Sequence, residues 1–174
     1  IEGGVRGAQA LVGGSISFMK MGGLPTIVAR ARGFDLGLVA GIVNRMNFIM
    51  ASAPTIKKPE DLRGRKISVS QLGPTASYQG VILALKHWGL DAKPDGITIL
   101  PVGNQSARVA SLEAGVHDAS ILNPGLTPFL LSKGFNILAD FAEMDIPYPH
   151  ETLATTERVL RKDQAAVEGV LKAF

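Results

Sequence analysis

The stretch from Lys66 to Gly89 constrains the chain more than any other. Lys66-Ile67-Ser68-Val69 is a short, β-branched apolar run with the composition of a strand. Ser70-Gln71-Leu72-Gly73-Pro74 breaks it with turn residues. Apolar residues then fall at 78, 81, 82, 85 and 88, close to a helical period. The spacing predicts a helix over 75–88 with one buried face. Lys86 and His87 sit in its last turn, where cations suit the dipole, and Gly89 stops it. Thr75 and Ser77 are both candidate caps. The first N–H groups of such a helix have no partner within it and carry partial positive charge. The stretch therefore reads as an anion site or as a plain capped connection.

The remaining composition narrows the class. The chain has 174 residues, 46% of them apolar, with 20 Gly and 10 Pro, which suits an α/β protein with many short turns. There is no cysteine, so disulfides, thiol catalysis and cysteine-based metal sites are excluded; the absence fits an exported protein. Net charge is +3, and only Lys57-Lys58 and Arg63-Gly64-Arg65-Lys66 cluster. Without interleaved aromatics this is a solvated face, not a nucleic-acid patch. The uncharged runs 7–19 and 119–132 fall short of the roughly 20 residues a membrane span needs. No signal peptide is seen. The chain starts inside what reads as an element and ends inside a helix, as a piece of a longer protein would.

Strands and helices alternate along the chain, which predicts a largely parallel sheet. Helices are expected over 5–13, 24–32, 106–114, 126–133 and 162–174. Strands are expected over 15–19, 35–43, 47–52, 97–102, 119–122, 136–139 and 151–155. A repeat supports two similar halves. Leu11-Val12-Gly13-Gly14 and Leu112-Glu113-Ala114-Gly115 lie 101 positions apart, and Thr26 with Thr127 and Gly33-Phe34 with Gly134-Phe135 keep that offset. The expected organisation is a partial first lobe over 1–53, a connector over 54–65, a second lobe over 66–143, a connector over 144–150 and a return to the first lobe over 151–174. Two lobes on two connectors suggest a hinged clamp around a small ligand.

Several segments resemble a known family. Lys58-Pro59-Glu60-Asp61-Leu62-Arg63-Gly64-Arg65-Lys66-Ile67-Ser68-Val69 resembles the segment that opens the second lobe of ABC-transporter solute-binding proteins. The branch it resembles handles nitrate, sulfonates, taurine and thiamine precursors. Gly73-Pro74-Thr75-Ala76-Ser77-Tyr78 is similar to that branch's ligand loop, and Leu112-Glu113-Ala114-Gly115-Val116-His117-Asp118-Ala119 to another of its segments. The resemblance implies an α/β, bilobed type II periplasmic-binding fold, with an incomplete first lobe whose exposed sheet edge pairs or swaps with a second copy. It implies capture of a small organic anion or zwitterion, docking on a membrane permease, a periplasmic or extracellular location, and no cofactor.

The candidate ligand contacts are Thr75 and Ser77, with Gly73, Pro74 and Ala76 in the same turn. Gly23 and Leu24 form the corresponding turn in the first lobe. Asn47 and Asn123 each read as a contact or as a turn residue. His87, His117 and His150 show no metal-ligand spacing. No carboxylate pair or Ser-His-Asp order points to catalysis. Two rivals remain within the fold: the effector domain of a transcription regulator, and a thiamine-pyrimidine synthase-like enzyme, whose Cys-rich segment is absent here.

Overall fold

In the computed structural model, which describes residues 4–144 and 146–173, the chain passes twice between two units. One unit is Ile1–Asn44 with Tyr148–Phe174, and the other is Arg45–Pro147. In chain order the elements are α1 (Gly4–Val12), β1 (Met19–Met21), α2 (Gly23–Ala31), β2 (Gly37–Arg45) and β3 (Ile49–Ser52). A 3-10 turn at Pro59–Leu62 leads to β4 (Lys66–Val69), α3 (Ala76–His87), β5 (Thr98–Pro101) and α4 (Gln105–Glu113). Then come β6 (Ala119–Leu122), a 3-10 turn at Pro124–Leu126, α5 (Thr127–Ser132), β7 (Asn136–Asp140), β8 (Pro147–Thr155), α6 (Glu157–Lys162) and α7 (Gln164–Ala173).

The unit Arg45–Pro147 is built on a five-stranded sheet in the order β5-β4-β6-β3-β7. β4 runs parallel to β5 and to β6, whereas β3 is antiparallel to both β6 and β7. The sheet is therefore mixed, with one reversed strand among four that share a direction. The expectation of a largely parallel sheet missed this reversal. β3 and β6 are buried at every position, as strands covered on both faces must be. On one face Ile49, Ala51 and Leu122 pack with Leu112 of α4 and Leu130 of α5. On the other face lies α3. Its buried positions are Ser77, Gly80, Val81, Ala84 and Leu85. The expected stripe of 78, 81, 82, 85 and 88 was rotated from this, because small residues form the contact. A side chain at Gly80 would meet Ile121 at 3.0 Å and Phe141 at 3.3 Å, so glycine sets how closely α3 approaches the sheet.

The unit with both termini has a three-stranded sheet in the order β1-β8-β2, with β1 antiparallel to β8. Its core joins Ala8 and Leu11 of α1 to Met21, Leu36 and Ala154. The repeat is visible in the backbone. Gly14 and Gly115 end their helices at φ 72° and 67°, and Gly33 and Gly134 do so at 86° and 82°.

Three boundaries differ from expectation. Residues 15–18 are bends and irregular chain, and the strand begins at Met19. Pro147 and Pro149 belong to β8 instead of a stiff connector. Asp145 of that expected connector lies outside the described residues, as do residues 1–3 and Phe174. The polar stretch 54–65 is also not a free connector, and residues 45–53 belong with the second unit. Ile56 and Leu62 are fully buried. The Asn136 amide donates to the carbonyls of Ile56 at 2.8 Å, Pro54 at 3.2 Å and Ala53 at 3.4 Å. Charge made the stretch look solvated, but its two apolar side chains and its carbonyls are used internally.

Two expectations follow. Asn136→Ala should destabilise the chain by about 1 kcal/mol in urea unfolding, the net worth of a side-chain hydrogen bond, because the Ile56 and Ala53 carbonyls keep the Ser52 hydroxyl and the Ile56 amide as other donors; a silent substitution would show that 54–65 is held by other means. His117 is 2% exposed, and burial holds its pKa below the ordinary 6.5, opposed by the Arg108 backbone and the Asp118 carboxylate. A depressed folded-state pKa means that the unfolded chain takes up the proton first. Stability is then complete above pH 6.5 and declines as pH falls through the folded value. His117→Gln should flatten the pH dependence of the melting temperature between pH 7 and 5. Asp61 and Asp95, whose pKa values are lowered chiefly by backbone N–H donors, act below 3.8, whereas His150, whose pKa burial also lowers, shares the window, so the substitution should reduce the slope without abolishing it.

Candidate functional site

The strands β4, β5, β6 and β7 all end at one edge of the five-stranded sheet, and β3 begins there, Ile49 lying opposite Leu122 and Asp140. That edge collects the turn 70–75, the turn 102–104, Asn123 and Asn47. In α/β sheets this is where ligands bind. The predicted residues Asn47, Gly73, Pro74, Thr75, Ala76, Ser77 and Asn123 thus share one edge. Gly23 and Leu24 lie in the other unit, at the head of α2.

The turn after β4 is closed by its own hydrogen bonds. Gly73 adopts φ 93°, a conformation that favours glycine. The amide of Thr75 donates to the Gly73 carbonyl at 2.8 Å. Thr75 is the N-cap of α3: its hydroxyl donates to the Gln71 carbonyl at 2.7 Å and accepts from the Tyr78 amide at 3.4 Å. Ser77 does something else. Its hydroxyl accepts the Ser70 amide at 3.0 Å and shares a 2.7 Å hydrogen bond with the Ser70 hydroxyl, and the residue is 4% exposed. The two candidate caps therefore divide. Thr75 caps the helix, while Ser77 ties its first turn to the end of β4. The amides of Ala76 and Ser77 have no partner among the described residues, so they are donors this edge offers.

A second helix head stands on the same edge. Asn104 caps α4 by accepting the Ala107 amide at 2.9 Å, which leaves the amides of Gln105 and Ser106 open. The Gln105 side chain accepts the Asn123 amide at 2.9 Å, linking α4 to the end of β6. Asn123 spends its own side-chain oxygen on the Gly125 amide at 2.9 Å, the turn role. Asn47 is exposed ahead of β3. Arg108, one turn into α4, is buried and donates to the Gly103 carbonyl at 2.9 Å. The sequence reading passed over Asn104, Gln105 and Arg108. The signal was present, since Thr98 to Ala107 repeats the order strand, glycine, cap, helix.

In the other unit, Gly22 caps α2 with no side chain, so the amides of Gly23 and Leu24 are open. Glycine at 23 also has a packing reason: a Cβ there would meet Pro149 at 2.6 Å. Thr26 and Tyr148 are buried in this unit, and their hydroxyls find no partner among the described residues. Burial pushes the Tyr148 pKa up to about 12. Among the described residues no cluster of His, Cys, Asp or Glu could hold a metal, and no helix is long and apolar enough to cross a membrane.

With this geometry in place, the chain can be set beside known proteins. The family model described as NMT1/THI5 like matches residues 7–174. The taurine-binding periplasmic protein of Escherichia coli (strain K12) is 28% identical over 169 residues, covering 95% of this chain and 50% of that protein. The crystal structure of the periplasmic aliphatic sulphonate binding protein SsuA from Escherichia coli superposes with a TM-score of 0.81 at 25% identity, covering 99% of this chain and 58% of the other. The alkanesulfonate-binding protein SsuA from Xanthomonas axonopodis pv. citri, bound to MOPS, shares the fold with a TM-score of 0.80 at 22% identity, covering 99% and 58%. The chain spans about half the length of the curated relatives it matches.

The division of labour between the two hydroxyls predicts unequal costs. Thr75→Ala removes a cap worth about 1 kcal/mol. Ser77→Ala strands the Ser70 amide and should cost more, about 1–3 kcal/mol. Equal melting temperatures for the two variants would show that the Ser70–Ser77 tie carries no weight.

Proposed function

The chain belongs to the NMT1/THI5-like family, and from that premise we propose that it is the ligand-capturing part of an ABC importer's solute-binding component. Its ligand is a small organic anion or zwitterion of the sulfonate or taurine class. The observation that carries this reading is the pair of helix heads at one sheet edge, each with a side-chain cap and two open amides. Open amides at the positive end of a helix suit a sulfonate or carboxylate group. The relatives named for taurine and sulphonate binding support the same class. They are binding proteins, which favours capture without chemistry over a thiamine-pyrimidine synthase.

Within this reading, the ligand is held by backbone amides of the turn Gly73–Ser77, chiefly those of Ala76 and Ser77. The Ser77 hydroxyl works from behind. Gly23 and Leu24 offer the corresponding amides at the head of α2, and Asn47 and Asn123 flank the main edge. The whole protein would work outside the cytoplasm against a membrane permease. The outer edge of β2, at the margin of the three-stranded sheet, is where a second copy would pair or swap.

One variant tests the amides without removing the fold. Ala76 is the first residue of α3, where proline is well tolerated, and Thr75 before it is extended at φ −104° and ψ 146°, as proline requires. Ala76→Pro deletes a single open donor. In a thermal-shift panel of taurine, methanesulfonate, nitrate, carboxylates, pyrimidines and amino acids, the wild-type chain should be stabilised by at least one sulfonate. Saturation at 100 times Kd corresponds to about 2.7 kcal/mol. Ala76→Pro should melt as the unliganded wild type does and show a smaller shift. A panel with no shift at all would sink the binding reading.

A further inference from the structure

Arg108 is a charged side chain sealed into the second unit at 5% exposure. Buried charges are ordinarily paired with an opposite charge or hydrogen-bonded throughout. Here Nη1 donates to the Gly103 carbonyl at 2.9 Å, and Nε has no partner among the described residues. No carboxylate among the described residues pairs with it. Desolvation alone acts on its pKa, lowering it, and a guanidinium stays protonated at neutral pH regardless. The unit thus bears the cost of burying a cation without the anion that would offset it.

The place of that cation is informative. Helical side chains lean toward the N-terminus of their helix, and the contact with Gly103 puts the guanidinium at the C-terminal end of β5. Gly103 in turn donates its amide to the Ser70 carbonyl at 3.1 Å, and the Ser70 amide donates to Ser77 at 3.0 Å. Three successive hydrogen bonds therefore lead from Arg108 to the first turn of α3. The open amides of Gln105 and Ser106 stand at the head of its own helix. Gly103, whose carbonyl the guanidinium meets, is itself only half-buried at this edge.

We propose that Arg108 is the charge-neutralising residue for the ligand, held at this edge to receive its anionic head. The inference rests on the reading of the ligand as an organic anion. Amides fix orientation through single hydrogen bonds, whereas the guanidinium presents a planar fork and a full charge that a sulfonate or carboxylate can accept. The residue then distinguishes an anionic group from a neutral group of the same shape.

Calorimetric titration of the 174-residue chain with sodium methanesulfonate and with its uncharged analogue dimethyl sulfone tests this. The wild type should prefer the sulfonate by about tenfold or more, as expected for hydrogen bonds to a charged partner. Arg108→Gln should lose that preference, and Arg108→Lys should restore part of it. A structural role for Arg108 would weaken both compounds alike. If the wild type binds neither compound, the functional reading itself fails and the inference with it. If it binds both equally, or if Arg108→Gln keeps the preference, the functional reading stands and Arg108 is not the neutralising group. Should Arg108→Gln fail to fold, the wild-type ratio and the Arg108→Lys ratio decide the matter alone.

Discussion

The tie between Ser77 and Ser70 is the constraint on which the candidate site depends. One hydroxyl, removed from solvent, takes the last strand-end amide and locks against the Ser70 hydroxyl. The head of α3 is thereby fixed to β4 by a side chain that does not cap the helix. Had Ser77 turned to satisfy a helix amide, the turn would have lost its anchor and the edge a donor. Gly80 completes the arrangement one turn further on, letting α3 lie close to Ile121 and Phe141. Position and unsatisfied polarity are thus created together, by a hydroxyl and a glycine contact that need touch no ligand.

The two kinds of donor at this edge differ in what they can supply. A helix head offers roughly half a charge, spread over amides whose directions are set by the backbone. It orients an anion well but neutralises it incompletely. Capping by Thr75 and Asn104 uses one amide on each helix and leaves the outermost ones free. The same caps stabilise their helices, so the fold and the site draw on the same residues. That coupling explains why a turn of ordinary composition can be both a structural joint and a place for a ligand.

Much of this was legible in the residues. The strand Ala119–Leu122 matches its expected bounds, and Gly89 follows the end of α3 at φ 69°, the stop expected of it. Those features depend on local chemistry, which a sequence displays directly. The reversal of β3 was not legible, because strand direction depends on where the chain goes afterward. The burial of Ile56 and Leu62 was hidden by the charges around them, since they are two apolar residues in a polar run. At the site, the edge positions of Gly73–Ser77 followed from strand–turn–helix order. The separate duties of Thr75 and Ser77 did not, because both are hydroxyls in the first turn. Arg108 was missed for the opposite reason: an arginine in a helix reads as a solvent-facing residue, and only the packed structure shows it enclosed.

β3 has a topological consequence of its own. It is laid down first in its unit and β7 last, yet the two are neighbours, with Ile49 beside Asp140. Just outside them the Phe141 amide donates to the Phe48 carbonyl at 2.9 Å, and the Met46 amide to the Ile146 carbonyl at 3.2 Å. The segment Arg45–Pro147 therefore enters and leaves through one stapled doorway. Loop closure has already been achieved where the chain goes in and comes out, so whatever sequence joins those two ends adds little entropic cost. Such a parcel is portable: it can be carried by different flanking chains without redesign of its interior.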